Sequence, residues 1–220
     1  MVDWRTSVAR EGEKILGPLG YKLDWTAFAD AWRGEYQPGL EEVRSGRQAF
    51  AKLDVLHRQG LERLPPRFGL QNLSDEVLDD LTLVWHRLDA WPDVAAALAR
   101  LKRKFWLAPV SNGNISLMVD LARRNNFPWD AILGAEIAQD YKRKPGVYLA
   151  SCAAFDLKPE QCMMVAAHSN DLEAAAKLGL RTAHTARPNE YGPNTGEGAP
   201  TVPVDFAAKN LADLADQLGA

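Results

Sequence analysis

The spacing of apolar residues changes once along the chain, near residue 91, and this change restricts the fold more than any other feature. Before it, apolar groups recur three and four residues apart, the period of a helix face. Val8, Ile15 and Leu16 mark one such face, and Trp25, Phe28, Ala31 and Trp32 a second. Phe50, Leu53, Leu56 and Leu61 mark a third, and Val77, Leu78, Leu81 and Trp85 a fourth. Asp24 and Ser74 stand where a side-chain oxygen can accept from the first free amides of the second and fourth helices. Pro38-Gly39 and Pro65-Pro66 are expected to interrupt the helical stretches. Nothing in this half alternates with period two. After residue 91 short apolar runs (105–110, 131–137, 162–167 and 180–186) read as strands. They alternate with helical stretches predicted over 93–104, 115–125, 146–155, 171–177 and 208–218, and Gly179 suits a helix stop. Residues 189–200, rich in Gly and Pro, read as a surface loop. The expected division is therefore a helical domain over 1–91 and an α/β domain over 92–220. In the second, a parallel sheet is covered by helices on both faces.

Composition enters through what it excludes. With 46% hydrophobic and 25% charged residues, the 220-residue chain is that of a globular protein. A net charge of −3 without a long run of either sign argues against a nucleic-acid partner. No apolar run approaches the ~20 residues of a membrane span, and the first residues lack the shape of a signal peptide. Cys152 and Cys162 have no metal-ligand spacing and read as reduced thiols of a cytoplasmic protein.

Ligands of open parallel sheets bind beyond the carboxyl ends of the strands. Three polar clusters fall there: Ser111-Asn112-Gly113-Asn114, then Tyr141-Lys142-Arg143-Lys144-Pro145, then His168-Ser169-Asn170-Asp171. Each also has a plain reading. Ser-Asn-Gly is a common turn and Asn114 suits a helix cap. A lysine before proline is an ordinary solvated side chain, Asp171 a simple cap, and His168 a hydrogen-bonded histidine under a loop. Taken together after three successive strands, they bring a hydroxyl, a carboxamide, a lysine and a carboxylate to one crevice, a set able to hold an anion and a nucleophile.

The ordered set of Ser111-Asn112-Gly113, then Lys144-Pro145-Gly146-Val147-Tyr148, then a polar loop ending in Asp171 resembles the haloacid dehalogenase superfamily, and most nearly its type II (S)-2-haloacid dehalogenase branch. The segments "AWRGEY" (31–36), "WHRLDAWPDV" (85–94) and "TARPNEYG" (185–192) are similar to that branch as well. The resemblance implies a Rossmann-like core with a helical cap inserted after the first core strand. It implies hydrolytic displacement of halide from small 2-haloalkanoic acids, with no metal and no cofactor, and a second copy of the chain as a partner.

It also implies roles. Lys144 would keep the nucleophile ionised, and Asp171 would orient Lys144 and the hydrolytic water. Ser111 and Asn112 would donate to the substrate carboxylate or the halide. Arg33 would meet the same groups from the cap, with Tyr36 lining the pocket. His168 stands where relatives often carry asparagine, and would donate to carboxylates or assist water. The family's nucleophile is an aspartate ending the first core strand in the pattern Asp-x-x-Gly-Thr-x-x-Asp. Met1-Val2-Asp3-Trp4 resembles only the tail of that pattern, with Asp3 at its final aspartate. The expectation is a chain without its central first strand, from a misassigned start codon or a truncation, and no turnover by these 220 residues. The alternatives are a Mg²⁺-dependent small-molecule phosphatase of the same superfamily and a non-catalytic truncated relative.

Overall fold

The computed structural model describes all 220 residues, Met1–Ala220. Five helices make up the first half: α1 (Trp4–Leu16), α2 (Trp25–Gly34), α3 (Tyr36–Arg44), α4 (Leu53–Glu62) and α5 (Asp75–Thr82). Asp24 accepts from the amides of Thr26 and Ala27, and Ser74 from that of Val77, so both caps form where the sequence puts them. Pro38-Gly39 does not interrupt a helix. α2 ends at Gly34, and Pro38 sits in the first turn of α3, where its missing N–H costs nothing.

Most of the apolar stripes converge on one cluster of 17 buried residues, among them Phe28, Trp32, Leu61, Leu81 and Trp85, while Leu53 and Leu56 of the third stripe pack in a second cluster with Leu40, Val43 and Tyr141. Trp32 meets Trp85 edge to face at 5.4 Å and donates its indole N–H to the His57 carbonyl at 2.9 Å. Each such aromatic contact adds about 0.5–1.5 kcal/mol beyond area burial.

The second half is built from α6 (Val94–Leu101), α7 (Ile115–Asn125), α8 (Ala135–Ala138), α9 (Pro145–Ala153), α10 (Ser169–Ala176) and α11 (Leu211–Gln217). Its strands belong to a set of seven in the whole chain. β1 (Val2–Asp3) and β2 (Asp89–Ala90) pair antiparallel where the two halves meet. β3 (Val110–Ser111) and β4 (Leu133–Gly134) form a short parallel pair. β5 (Met163–Ala166), β6 (Arg181–Thr185) and β7 (Phe206–Ala208) form a parallel sheet of three. α6 and α11 pack on one face of β6 and β7 through Leu98, Leu101, Leu211 and Leu214. α9 and α10 cover the other face of β5 through Tyr148, Leu172 and Ala175, where Val110 of β3 also packs. No helix is long and apolar enough to cross a membrane.

The sheet is thus split. No ladder joins β3 to β5. Residues 107–113 and 163–168, one run from each sheet, line a single cavity of about 800 Å³. The split explains why several strands are shorter than expected. Backbone groups settle into a strand only where a neighbour supplies their hydrogen bonds. β3 has a neighbour on one side, so only 110–111 of the run 105–110 become strand, and Trp106 is left 66% exposed. The run 131–137 divides into β4 and the short α8. Gly134 is required at that junction: its φ is +113°, and a Cβ there would lie 2.2 Å from the Ser111 carbonyl oxygen. Gly179, with φ +88°, ends α10 as expected. β7 occupies the start of the helix expected from residue 208, and α11 begins at Leu211.

Candidate active site

The cavity collects the polar clusters from both halves. On one wall Ser111 closes β3, and its Oγ accepts from the Gly113 amide at 3.0 Å. Asn112 follows and bridges two segments. Its Nδ2 donates to the Tyr36 hydroxyl at 2.9 Å, and its Oδ1 accepts from the Lys142 amide at 2.9 Å. Tyr36 begins α3, so one carboxamide joins the helical half to the sheet.

Asp171 lies in the first turn of α10, 8% exposed. Lys142 donates to its Oδ2 at 2.7 Å, and Tyr148 donates to its Oδ1 at 2.5 Å. Burial, then the Asp171 charge and hydrogen bond, push the Tyr148 phenol far above its ordinary range, so it stays a donor. The lysine on Asp171 is therefore Lys142. Lys144 is the exposed N-cap of α9, two residues further along, and does not reach Asp171. A cation gains nothing at a helix N-terminus and turns to solvent. Lys142 is fixed from the helical half too, since Arg44 donates to its carbonyl at 2.8 Å.

Arg33, in the last turn of α2, lies over the Tyr36 ring at 3.9 Å and the Trp4 ring at 5.6 Å, and no carboxylate pairs with it. A guanidinium stacked on aromatic faces and turned toward a cavity is an anion receptor in waiting. Near it stand His168 and two residues of the stretch expected as a surface loop. Glu190 Oε2 is 2.8 Å from His168 Nε2, and the Tyr191 hydroxyl is 3.3 Å from the same nitrogen. Glu190 is 9% exposed. Burial alone would raise its carboxyl, but the His168 bond and charge, the chain's amino group and Arg33 bring it below the usual range. The amino group of Met1 lies in the same region. Burial, then the Arg187 charge, hold it down to about 6.

The site residues read from the sequence thus lie around one cavity, Lys144 excepted. Lys142, Glu190 and Tyr191 join them, and Tyr148, buried behind Asp171, holds its carboxylate. Lys142 and Tyr148 flank Lys144-Pro145 in the same stretch, but residue type alone does not say which lysine faces inward. Glu190 and Tyr191 lie in the family-like segment 185–192, but their approach to His168 depends on how residues 187–200 fold back. Chemically the set offers an anion pocket (Arg33, Ser111, Asn112) beside a lysine–carboxylate–phenol network, with an imidazole–carboxylate pair near Arg33.

A split α/β core, a helical half closing over strand ends and a lysine held on an aspartate define a hydrolase of the haloacid dehalogenase type. The model of the haloacid dehalogenase-like hydrolases matches residues 7–179, and the chain belongs to that family. The solved structure of a defluorinating L-2-haloacid dehalogenase superposes with a TM-score of 0.93 at 40% identity, over 100% of this chain and 91% of its own. Another L-2-haloacid dehalogenase gives 0.94 at 44% identity, over 99% and 94%. The chain is 29% identical over 119 residues to (S)-2-haloacid dehalogenase 4A of Burkholderia cepacia, a match taking in 51% of this chain and 52% of that protein. The chain thus spans about half the length of that curated relative. The L-2-haloacid dehalogenase of Xanthobacter autotrophicus with chloropropionic acid covalently bound, at 21% identity and a TM-score of 0.82 over 97% and 92%, shares the fold.

Proposed function

We propose that these 220 residues form the substrate-handling part of a hydrolytic 2-haloacid dehalogenase, divided into a cap over 1–91 and a core over 92–220. The observation that carries this reading is the Lys142–Asp171–Tyr148 network facing an unpaired, aromatic-stacked Arg33 across one cavity. The similarity to two L-2-haloacid dehalogenases over nearly the whole chain supports it. Two free cysteines fit a reducing compartment, the cytoplasm.

The reaction needs an aspartate nucleophile, and the proposal places it on an extended segment running between β3 and β5. The separate sheets on either side of the cavity support that position. The carboxylate attacks C2 of a 2-haloalkanoate, the carbon–halogen bond breaks with its electron pair, and an ester and a free halide result. Water then adds to the ester's carboxyl carbon, releasing the 2-hydroxy acid and a proton and restoring the aspartate. Lys142, rather than Lys144, holds the nucleophile ionised and is itself oriented by Asp171. Arg33, Ser111 and Asn112 hold the substrate carboxylate and stabilise the departing halide in a site shielded from water. His168, with Glu190 behind it, faces the water attack.

The test is chloride release from the two enantiomers of 2-chloropropionate. It is run on the 220-residue chain and on a chain extended through the in-frame upstream codons. The proposal expects release from the (S) enantiomer by the extended chain only. Release by the 220-residue chain would place the nucleophile within it and overturn the proposal, as would an extended chain inert toward both enantiomers.

A further inference from the structure

We propose that Asp54 is a positioning residue for the Ser111–Asn114 turn, and that the proton on His86 sets its grip. The proposal deepens the reading above, since it assumes that this turn receives the substrate anion. Asp54 lies in the first turn of α4, in the helical half. Its Oδ2 accepts from Asn114 Nδ2 at 2.8 Å, and its Oδ1 is 3.1 Å from His86 Nε2. The other nitrogen of His86 is 2.7 Å from Oδ2 of Asp120, on α7. An imidazole between two carboxylates satisfies both only when both nitrogens carry protons. One proton therefore ties together α4, α7 and the connecting segment that carries His86.

Asn114 depends on this tie. It is 1% exposed, and its Oδ1 has no partner, so its amide orientation rests on Asp54 and on a second bond to Ser116 Oγ at 2.8 Å. Two residues earlier, Asn112 holds both Tyr36 and the Lys142 backbone. Whatever fixes Asn114 fixes the turn between them.

The charges around His86 are few, and beside Asp54 lie only the paired Lys52 and Glu136, the latter accepting from the Ile115 amide. Asp54 and Asp120 face His86 directly, and His57 from α4 is its neutral neighbour. From α1, Glu11 is engaged by Lys14 and Arg10; from α5, Asp80 is engaged by Arg87. Burial alone would lower His86, but the bonds and charges of the two carboxylates raise it above 6.5. Burial likewise works against the Asp54 charge, yet His86 and Asn114 bring its carboxyl below the usual range. The tie is thus complete below the folded His86 value, where both ring nitrogens carry protons. It opens as pH rises through the folded His86 value, when one ring nitrogen turns a lone pair toward a carboxylate.

The experiment is a pH titration by NMR of the His86 ring and the backbone amides of residues 111–114 in the 220-residue chain, with 2-chloropropionate affinity measured at pH 6 and pH 9. Expected are a His86 midpoint above 6.5, amide shifts of 111–114 with the same midpoint, and an affinity about tenfold weaker at pH 9. Asp54→Asn should lower the His86 midpoint and abolish the shared titration. Asp120→Asn, which spares Asp54, should lower the midpoint while leaving the coupling intact. Amides of 111–114 indifferent to the His86 titration, or a His86 midpoint unmoved in Asp54→Asn, would overturn the proposal. Wild-type chain that shows the coupling but binds no 2-chloropropionate at either pH would instead contradict the substrate reading and leave the tie standing.

Discussion

The helical half and the sheet half are stabilised by different kinds of contact. In the helical half, most stripes meet in one large cluster, where Phe28, Leu16 and Leu81 are wholly buried, and only α3 and the start of α4 form a second, against Tyr141. Contacts such as Trp4–Trp85 and Trp32–Trp85 tie its first and last helical turns together. In the other half the apolar residues divide among smaller clusters on the faces of two separate sheets, and a cavity of about 800 Å³ lies between those sheets. The difference teaches that helices satisfy their own backbone, whereas a strand is only as complete as its neighbours. Polar chemistry collects at the incomplete place, because there the chain has carboxylates, a lysine and an arginine that no core absorbs.

The comparison can be broken first at its strongest point. Trp32→Ala removes a 1% exposed indole that touches Phe28 and Trp85, and should cost about 3–5 kcal/mol in denaturant unfolding. A loss under 1 kcal/mol would mean that the helical half is not the well-packed one. Next comes the charge network of the sheet half. Lys142→Met leaves Asp171 buried with only Tyr148, and a loss of about 3 kcal/mol is expected. A pH-dependent effect belongs to His57, stacked on Trp85 at 4.3 Å. Burial holds it down to about 3; Asp54 pulls the other way, and Arg33 and His86 add to the lowering. The unfolded chain therefore takes up a proton near pH 6.5 that the folded chain refuses. Stability falls by roughly 1.4 kcal/mol per pH unit from 6.5 down to 3 on account of this group. His57→Phe should flatten that slope, and an unchanged slope would remove His57 as its source. Last is the control: Lys144→Met, at an exposed helix cap, should stay within about 0.5 kcal/mol of the parent.

Legibility followed the same division. The helices and the caps at Asp24 and Ser74 were readable, because both depend on residues within a turn or two of each other. In the sheet, the order of strands was readable but not their extent, since the length of β3 is set by which neighbours it has. Ser111, Asn112, Asp171, His168 and Arg33 could be picked out by their places at strand ends and in family-like motifs. The choice between Lys142 and Lys144 could not be made from residue type, because both are lysines before one helix. Only the geometry of the turn entering α9 decides which reaches Asp171. Glu190 was hidden for a different reason: its partner His168 is 22 residues away, across a loop whose path no local pattern dictates.

The central claim is that the sheet is open between β3 and β5 and is closed by an extended segment bearing the nucleophile. Amide hydrogen exchange tests it most directly, on residues 108–111 and 163–166, with β6 as the internal reference. The account predicts that in the 220-residue chain the amides of these residues not bonded to β4 or β6 exchange far faster than those of β6. In the chain extended upstream they should be protected as well as β6. Facing edges already as protected as β6 in the 220-residue chain would contradict it.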